Sequence, residues 1–210
     1  MTPILQTERL VLRAITLDDA PAIQKYFNNW NIVQHLSMRV PWPYPDDGAE
    51  TFIREQCLPK MEEGSSLVWG ITLKEAENDE AVGVVDYRFD DDDYGNRGFW
   101  IAEHLWRQGL MTEAVTAMQD YVFFELGVAD IVVCNSIVND GSRRVKEKTN
   151  AEYLGDVTLP HHSGQDQAQK WRIIREGWAE FRGRSLQDLP QTPDTPPANH
   201  RPRQKKTSTP

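Results

Sequence analysis

The sequence predicts one α/β (α+β) domain built on a mixed, mostly antiparallel central sheet of about seven strands flanked by about four helices. Two observations carry that prediction. Three strand-like segments follow one another with short polar connections, which favours antiparallel neighbours. A strand, an amphipathic helix and another strand then follow, and such a crossover predicts parallel pairing. The 210 residues are long enough for one sizeable core.

The first strand is ERLVLRAIT, Glu8–Thr16, where Leu10, Leu12 and Ala14 alternate with charged neighbours. Thr16 and Asp19 have capping spacing and Pro21 falls in the first turn of the helix they open. In that helix Ile23, Phe27 and Trp30 recur at helical spacing. VPWPYP, Val40–Pro45, breaks regular structure. Asp46 can cap a second helix whose Ala49, Phe52, Ile53 and Cys57 share a face, with Pro59 disturbing it.

Three strands are expected at Ser66–Leu73, Ala81–Phe89 and Arg97–Glu103. A helix is expected from Thr112 to about Leu126, closed by Gly127, with an apolar stripe of Ala114, Val115, Met118, Tyr121 and Val122. The strand Asp130–Val138 completes the crossover, a short helix begins near Ser142, and two strands follow in AEYLGDVTL and KWRIIREGW. From about Ser185 the chain turns proline-rich and almost devoid of apolar residues, so 1–184 is read as the folded domain and 185–210 as a disordered tail.

Composition narrows the function. A net charge of −9 argues against nucleic-acid binding by the whole surface. Two cysteines, Cys57 and Cys134, are too few for a disulfide framework and read as small buried hydrophobes of a cytoplasmic protein. The opening residues lack the pattern of a signal peptide, and no apolar run is long enough to span a membrane. Asp90–Asp93 could attract a cationic acceptor or form a solvated loop. His161 and His162 lack partners at metal-ligand spacing, and no metal is expected.

One stretch suggests a site. WRQGLMTEA, Trp106–Ala114, places Gly109 at the mouth of a helix directly after the strand GFWIAE. A helix N-terminus offers unpaired N–H groups and partial positive charge, and glycine lets a ligand approach the backbone. The amides of Gln108, Gly109, Leu110, Met111 and Thr112 could wrap a pyrophosphate, although the stretch is neither a P-loop nor GxGxxG. Glu113, in the first turn, reads as a structural complement to the helix dipole.

Several motifs in order, TERLVLRAITLDDA, PWPY, GFWIAEHLWRQGLMTEA, NDGSRRVKEK and RIIREGW, resemble the GCN5-related N-acetyltransferase (GNAT) superfamily. Within it the likeness is to ribosomal-protein alanine N-acetyltransferases, over about residues 6–180. The departures are Trp106 and Met111 in the pyrophosphate motif and Thr149-Asn150-Ala151 where the family has Leu-Gly-Phe/Ala; Asn150 can still take a left-handed turn.

The resemblance implies transfer of an acetyl group from acetyl-CoA to a primary amine by direct attack, with a protein N-terminal α-amine as candidate acceptor. It implies cofactor contacts by Ile101, Trp106, Arg107, Gln108, Gly109, Leu110, Met111, Thr112, Asn139 and Ser142. Ser142 is then a proton donor to the CoA sulfur or a CoA contact, against the alternative of a helix N-cap. Asn139 is a cofactor contact or a turn asparagine, and Glu103 and Asp86 are bases acting through water or edge-strand charges. No matching histidine supports a role for His104. A non-catalytic CoA-binding or ribosome-interaction module is the alternative; the chain would act as a monomer or homodimer.

Overall fold

A computed structural model of the chain describes residues 1–90 and 94–185. Five strands form one sheet: β1 (Leu5–Gln6), β2 (Leu10–Ala14), β3 (Ser66–Leu73), β4 (Gly83–Arg88) and β5 (Arg97–Ile101), side by side in chain order. A second sheet has β6 (Asp130–Ser136) and β7 (Glu152–Thr158) on either side of β8 (Gln167–Ile174). The short strand β1, absent from the sequence reading, pairs with β2 through Leu5 opposite Leu12.

Strand alternation sends side chains to opposite faces of the first sheet. Trp69 and Val85 face a core shared with Leu10, Met118, Phe123 and Ile131, whereas Val68 and Val84 face a smaller core with Ile23, Phe27 and Ile53. Both faces of the central strands are covered, which is why β3 is buried over nearly its whole length.

The four expected helices stand in their places, joined by two short ones. Thr16 and Asp19 form the expected capping box, and α1 (Ala20–Phe27) follows. The helix stops at Phe27, so Trp30 opens a separate turn, α2 (Trp30–Val33), and is exposed rather than on the α1 stripe. The second helix runs as α3 (Gly48–Phe52), a π-helical turn Ile53–Cys57 and α4 (Leu58–Glu62). Pro59 has no N–H, so the wider turn before it lets the helix continue past the missing bond. Phe52 points outward, a departure from the expected face, while Ala49, Ile53 and Cys57 are buried. Burial pushes the Cys57 thiol up to about 12, in keeping with an inert core residue.

Helix α5 (Leu110–Asp120) starts two residues earlier than expected and continues as a π-helical turn, Tyr121–Glu125. Gly127, at φ 67°, lies just beyond this turn, where the helix was expected to close. The last expected strand ends at Ile174, and REGWAEF instead forms α7 (Arg175–Phe181). Its buried Trp178 donates Nε1–H to Asp120 Oδ1 at 3.0 Å, tying α7 to the end of α5.

The expected parallel ladder between β5 and β6 is not formed; every ladder among the described residues is antiparallel. The two sheets meet just before β5. There Asn96 N–H donates to Val132 O (2.7 Å) and its Oδ1 accepts from Val132 N–H (3.0 Å). Gly95, at φ 88°, is needed at this seam, because a Cβ there would stand 2.2 Å from Val132 O. With Val132 taken up by Asn96, β5 has β4 as its only ladder partner among the described residues, and its other edge carries no ladder among them.

Between β6 and β7 runs α6 (Asp140–Lys148), after which Asn150 takes the left-handed conformation expected of it, φ 57°. Among the described residues no helix is long and apolar enough to cross a membrane. The proline-rich tail and Asp91–Asp93 lie outside the described residues.

Candidate active site

Each sheet delivers one helix to the site, α5 after β5 and α6 after β6. Near the far ends of these helices, Gln119 Nε2 donates to Thr149 O, the residue just past α6, at 3.4 Å. The two helices therefore meet near their C-terminal ends, and α5 begins where β5 ends.

At the mouth of α5 the backbone turns sharply twice. Arg107 has φ 63° and Gly109 φ 81°. A left-handed residue other than glycine costs about 1–2 kcal/mol, so the turn at Arg107 is a strained feature held by its surroundings. The consequence is a run of amides, residues 108–112, that meet no hydrogen-bond acceptor among the described residues. Successive outward N–H groups at a helix N-terminus make an anion cradle. Gly109 is exposed and its nearest foreign atom is Arg9 Nη2, 3.6 Å from where a Cβ would stand, so the space before it is open.

The cradle is braced from behind. Arg9, in the turn before β2, donates from Nη1 to Gln108 O (3.0 Å) and from Nε to Glu113 Oε2 (2.7 Å). Thr7 Oγ1 and the Arg9 amide donate to Glu113 Oε1 at 2.5 and 2.8 Å. Partial burial pushes the Glu113 carboxyl up, but these hydrogen bonds and the Arg9 charge outweigh it and hold it below the usual carboxylate range. The sequence reading missed Thr7 and Arg9, because nothing local marks a partner about a hundred residues away. Trp106, largely exposed, donates Nε1–H to Ile101 O at 2.8 Å, fixing the loop on the end of β5. Leu110 and Met111 bury their side chains in the main core, so only their amides are available to a ligand, and Thr112 is half-buried.

Glu103 lies in the turn after β5 and accepts from Asn29 Nδ2 (2.6 Å) and Asn31 Nδ2 (2.8 Å), which dock the α1–α2 region against the strand end. Asp86, on β4, accepts from Arg88 Nη1 (2.6 Å) and from the Gly98 amide (3.1 Å) across the ladder. The His104 ring packs 5.5 Å from Tyr26.

At α6 the two expected roles divide. Asn139, not Ser142, is the N-cap: its Oδ1 accepts from the Ser142 amide at 2.9 Å. The N-cap alternative for Ser142 is therefore corrected, since a residue three positions into the helix gives its amide and keeps its hydroxyl for other work. That hydroxyl accepts a hydrogen bond from Lys146 Nζ at 2.7 Å, and Lys146 is almost fully buried. Neither Lys146 nor the equally buried Arg97 was singled out from sequence. In SRRVKEK a lysine reads as solvated charge; the available signal was its four-residue spacing from Ser142, which puts both on one helix face.

The family of the acetyltransferase (GNAT) domain matches residues 9–152. The chain belongs to the GNAT acetyltransferases. Its acetyltransferase relatives include YoaA of Bacillus subtilis, an uncharacterized N-acetyltransferase that is 26% identical over 164 residues, 74% of this chain and 86% of that protein. Among solved structures, the ribosomal-protein-S5-alanine acetyltransferase of Vibrio fischeri superposes with a TM-score of 0.70 at 17% identity, covering 84% of this chain and 98% of that one. RimL, a ribosomal L7/L12 alpha-N-protein acetyltransferase in complex with coenzyme A, gives 0.69 at 17% identity over 82% and 98%. This acetyltransferase is thus an acetyl-CoA-dependent enzyme of the GNAT fold.

Proposed function

We propose that the domain of residues 1–184 acetylates a protein N-terminal α-amine by direct attack on acetyl-CoA, with the pyrophosphate of acetyl-CoA on amides 108–112. The observation that carries the cofactor half is the run of open amides behind Gly109, braced by Arg9 and Glu113. Ile101, Trp106 and Arg107 shape the approach to it, and Asn139 holds the α6 N-terminus that presents Ser142. The acceptor half is supported by the fold shared with RimL and the S5-alanine acetyltransferase, whose names give protein acceptors. It is supported further by the exposed aromatic pair Trp30 and Trp42, ring centroids 5.1 Å apart, beside the asparagines that hold Glu103.

In this reading the unprotonated amine attacks the thioester carbonyl, and Ser142 gives its hydroxyl proton to the departing sulfur. An α-amine, with an ordinary pKa of roughly 8 against roughly 10.4 for lysine, needs less help to lose its proton. Glu103, fixed by two amides at the site mouth, draws the cationic amine in; Asp86, tied to Arg88 and Gly98, keeps β4 and β5 in register. The test is a panel of peptides, each with a free α-amine or a blocked N-terminus and a free lysine, followed by release of the CoA thiol. The reading predicts turnover with free α-amines only; turnover confined to lysine peptides or small amines contradicts the acceptor assignment.

A further inference from the structure

Lys146 sits on α6 with 1% of its surface exposed. Its only side-chain hydrogen bond among the described residues goes to Ser142 Oγ. Around it lie groups from β4, β5, β6 and α5. From β5 come Arg97, also buried, and Phe99, whose ring centroid lies 5.6 Å from Arg97 Cζ and 5.8 Å from Lys146 Nζ. From α5, Gln119 accepts from Arg97 Nη1; from β6, Cys134 lies within electrostatic reach; from β4, Asp86 acts on Arg97. Arg97 Nε and Nη2 find no acceptor among the described residues.

Two cations side by side in a dry interior cannot both keep their charge cheaply. Burial lowers Arg97 to about 9, which still leaves it charged at neutral pH. Lys146 is the one that yields: burial, and then the Arg97 charge, lower it well below an ordinary lysine, with Cys134 opposing. A desolvated lysine beside another cation is the arrangement that makes an amine a base below the ordinary lysine range, and here it is hydrogen-bonded to a hydroxyl.

We propose that Lys146, acting through Ser142, takes up the proton that the acceptor amine loses and returns it to the departing sulfur. This rests on the reading of Ser142 as the hydroxyl at the thioester. With Lys146 neutral, the Ser142 hydroxyl donates to Nζ across the same 2.7 Å contact; as the amine nitrogen bonds to the carbonyl carbon, its proton passes to Ser142 Oγ while the hydroxyl proton of Ser142 passes to Lys146 Nζ. When the carbonyl re-forms and the C–S bond breaks, Ser142 protonates the thiolate and Lys146 returns its proton to Ser142. One proton has moved from nitrogen to sulfur, both side chains are restored, and no outside acid or base is consumed. A single hydroxyl can serve both atoms because nitrogen and sulfur share the tetrahedral carbon. Lys146 touches neither substrate and is a positioning residue.

The test uses the full chain in two arms. In the first, protein carrying ¹³C-labelled lysine is titrated by NMR, with Lys146→Met to assign the signal. The expected midpoint lies well below that of the other lysines and moves when acetyl-CoA binds; a Lys146 that stays charged to about pH 10 overturns the relay. In the second arm, transfer is followed with the peptides that turn over. Lys146→Met, which keeps the volume without the charge, is expected to lower kcat about 100-fold, leave KM for acetyl-CoA unchanged and change the acidic limb of the kcat–pH profile to the one set by the acceptor amine alone. Lys146→Arg, which stays charged, does not rescue. Unchanged kcat and an unchanged limb in Lys146→Met overturn the relay alone; a wild-type chain that binds no acetyl-CoA overturns the cofactor reading and the relay with it.

Discussion

Ser142 combines two bonds that pull its roles apart: its amide closes the α6 cap on Asn139, and its hydroxyl meets Lys146. Ser142→Ala keeps the amide and loses the hydroxyl. It should lower kcat about 100-fold while costing about 1–2 kcal/mol of stability, the cost of leaving a buried donor without its acceptor. Turnover with each variant and thermal melts of both proteins read the two effects separately. Lys146 carries a second, sign-specific expectation. Its pKa in the folded chain lies below its value in the unfolded chain, so between those two values the unfolded state binds more protons and stability rises with pH. The penalty for burying Lys146 is present in full below the folded value and gone above about pH 10.5. Lys146→Met should therefore stabilise the protein at neutral pH, by about 1–3 kcal/mol, with the gain shrinking toward pH 10. Urea unfolding at several pH values measures it, and a pH-independent gain contradicts a neutral Lys146.

The site is made at the ends of elements, where β5 passes into α5 and β6 into α6. Asn139→Ala removes the side-chain N-cap of α6 and should cost about 1 kcal/mol, with a smaller loss of turnover than Ser142→Ala. The opposite pattern would make Asn139 a cofactor contact first and a cap second. Local sequence made much of these elements legible. Capping spacing at Thr16–Asp19, the glycine before α5 and the left-handed Asn150 each rest on a short-range rule, and the structure has all three. What was not legible depends on partners remote in the chain. Phe52 obeys the helical period yet is exposed, since burial depends on which elements of the fold cover the helix. The parallel ladder expected of the crossover is displaced by Asn96, whose amide and side chain take both backbone groups of Val132. The strand read through REGW becomes a helix because Trp178 and Arg182 find Asp120, about sixty residues earlier.

Across the molecule, the seam at Asn96 holds two antiparallel sheets together at one place and leaves the edge of β5 without a ladder beyond it. The end of β5, where α5 begins, is where the account places acetyl-CoA. The buried cations lie between α6, β5 and α5, and their sequence context gave no hint of it, since burial is a property of the assembled fold. The most direct measurement is a calorimetric titration of acetyl-CoA into the wild-type chain and into Gly109→Val, with ATP as control ligand. Valine at φ 81° is strained, so the turn that leaves amides 108–112 open would have to change. The account predicts micromolar binding of acetyl-CoA and none of ATP by the wild type, and at least a 100-fold loss in a variant that still unfolds cooperatively. Equal affinity in both proteins would take the cofactor off amides 108–112.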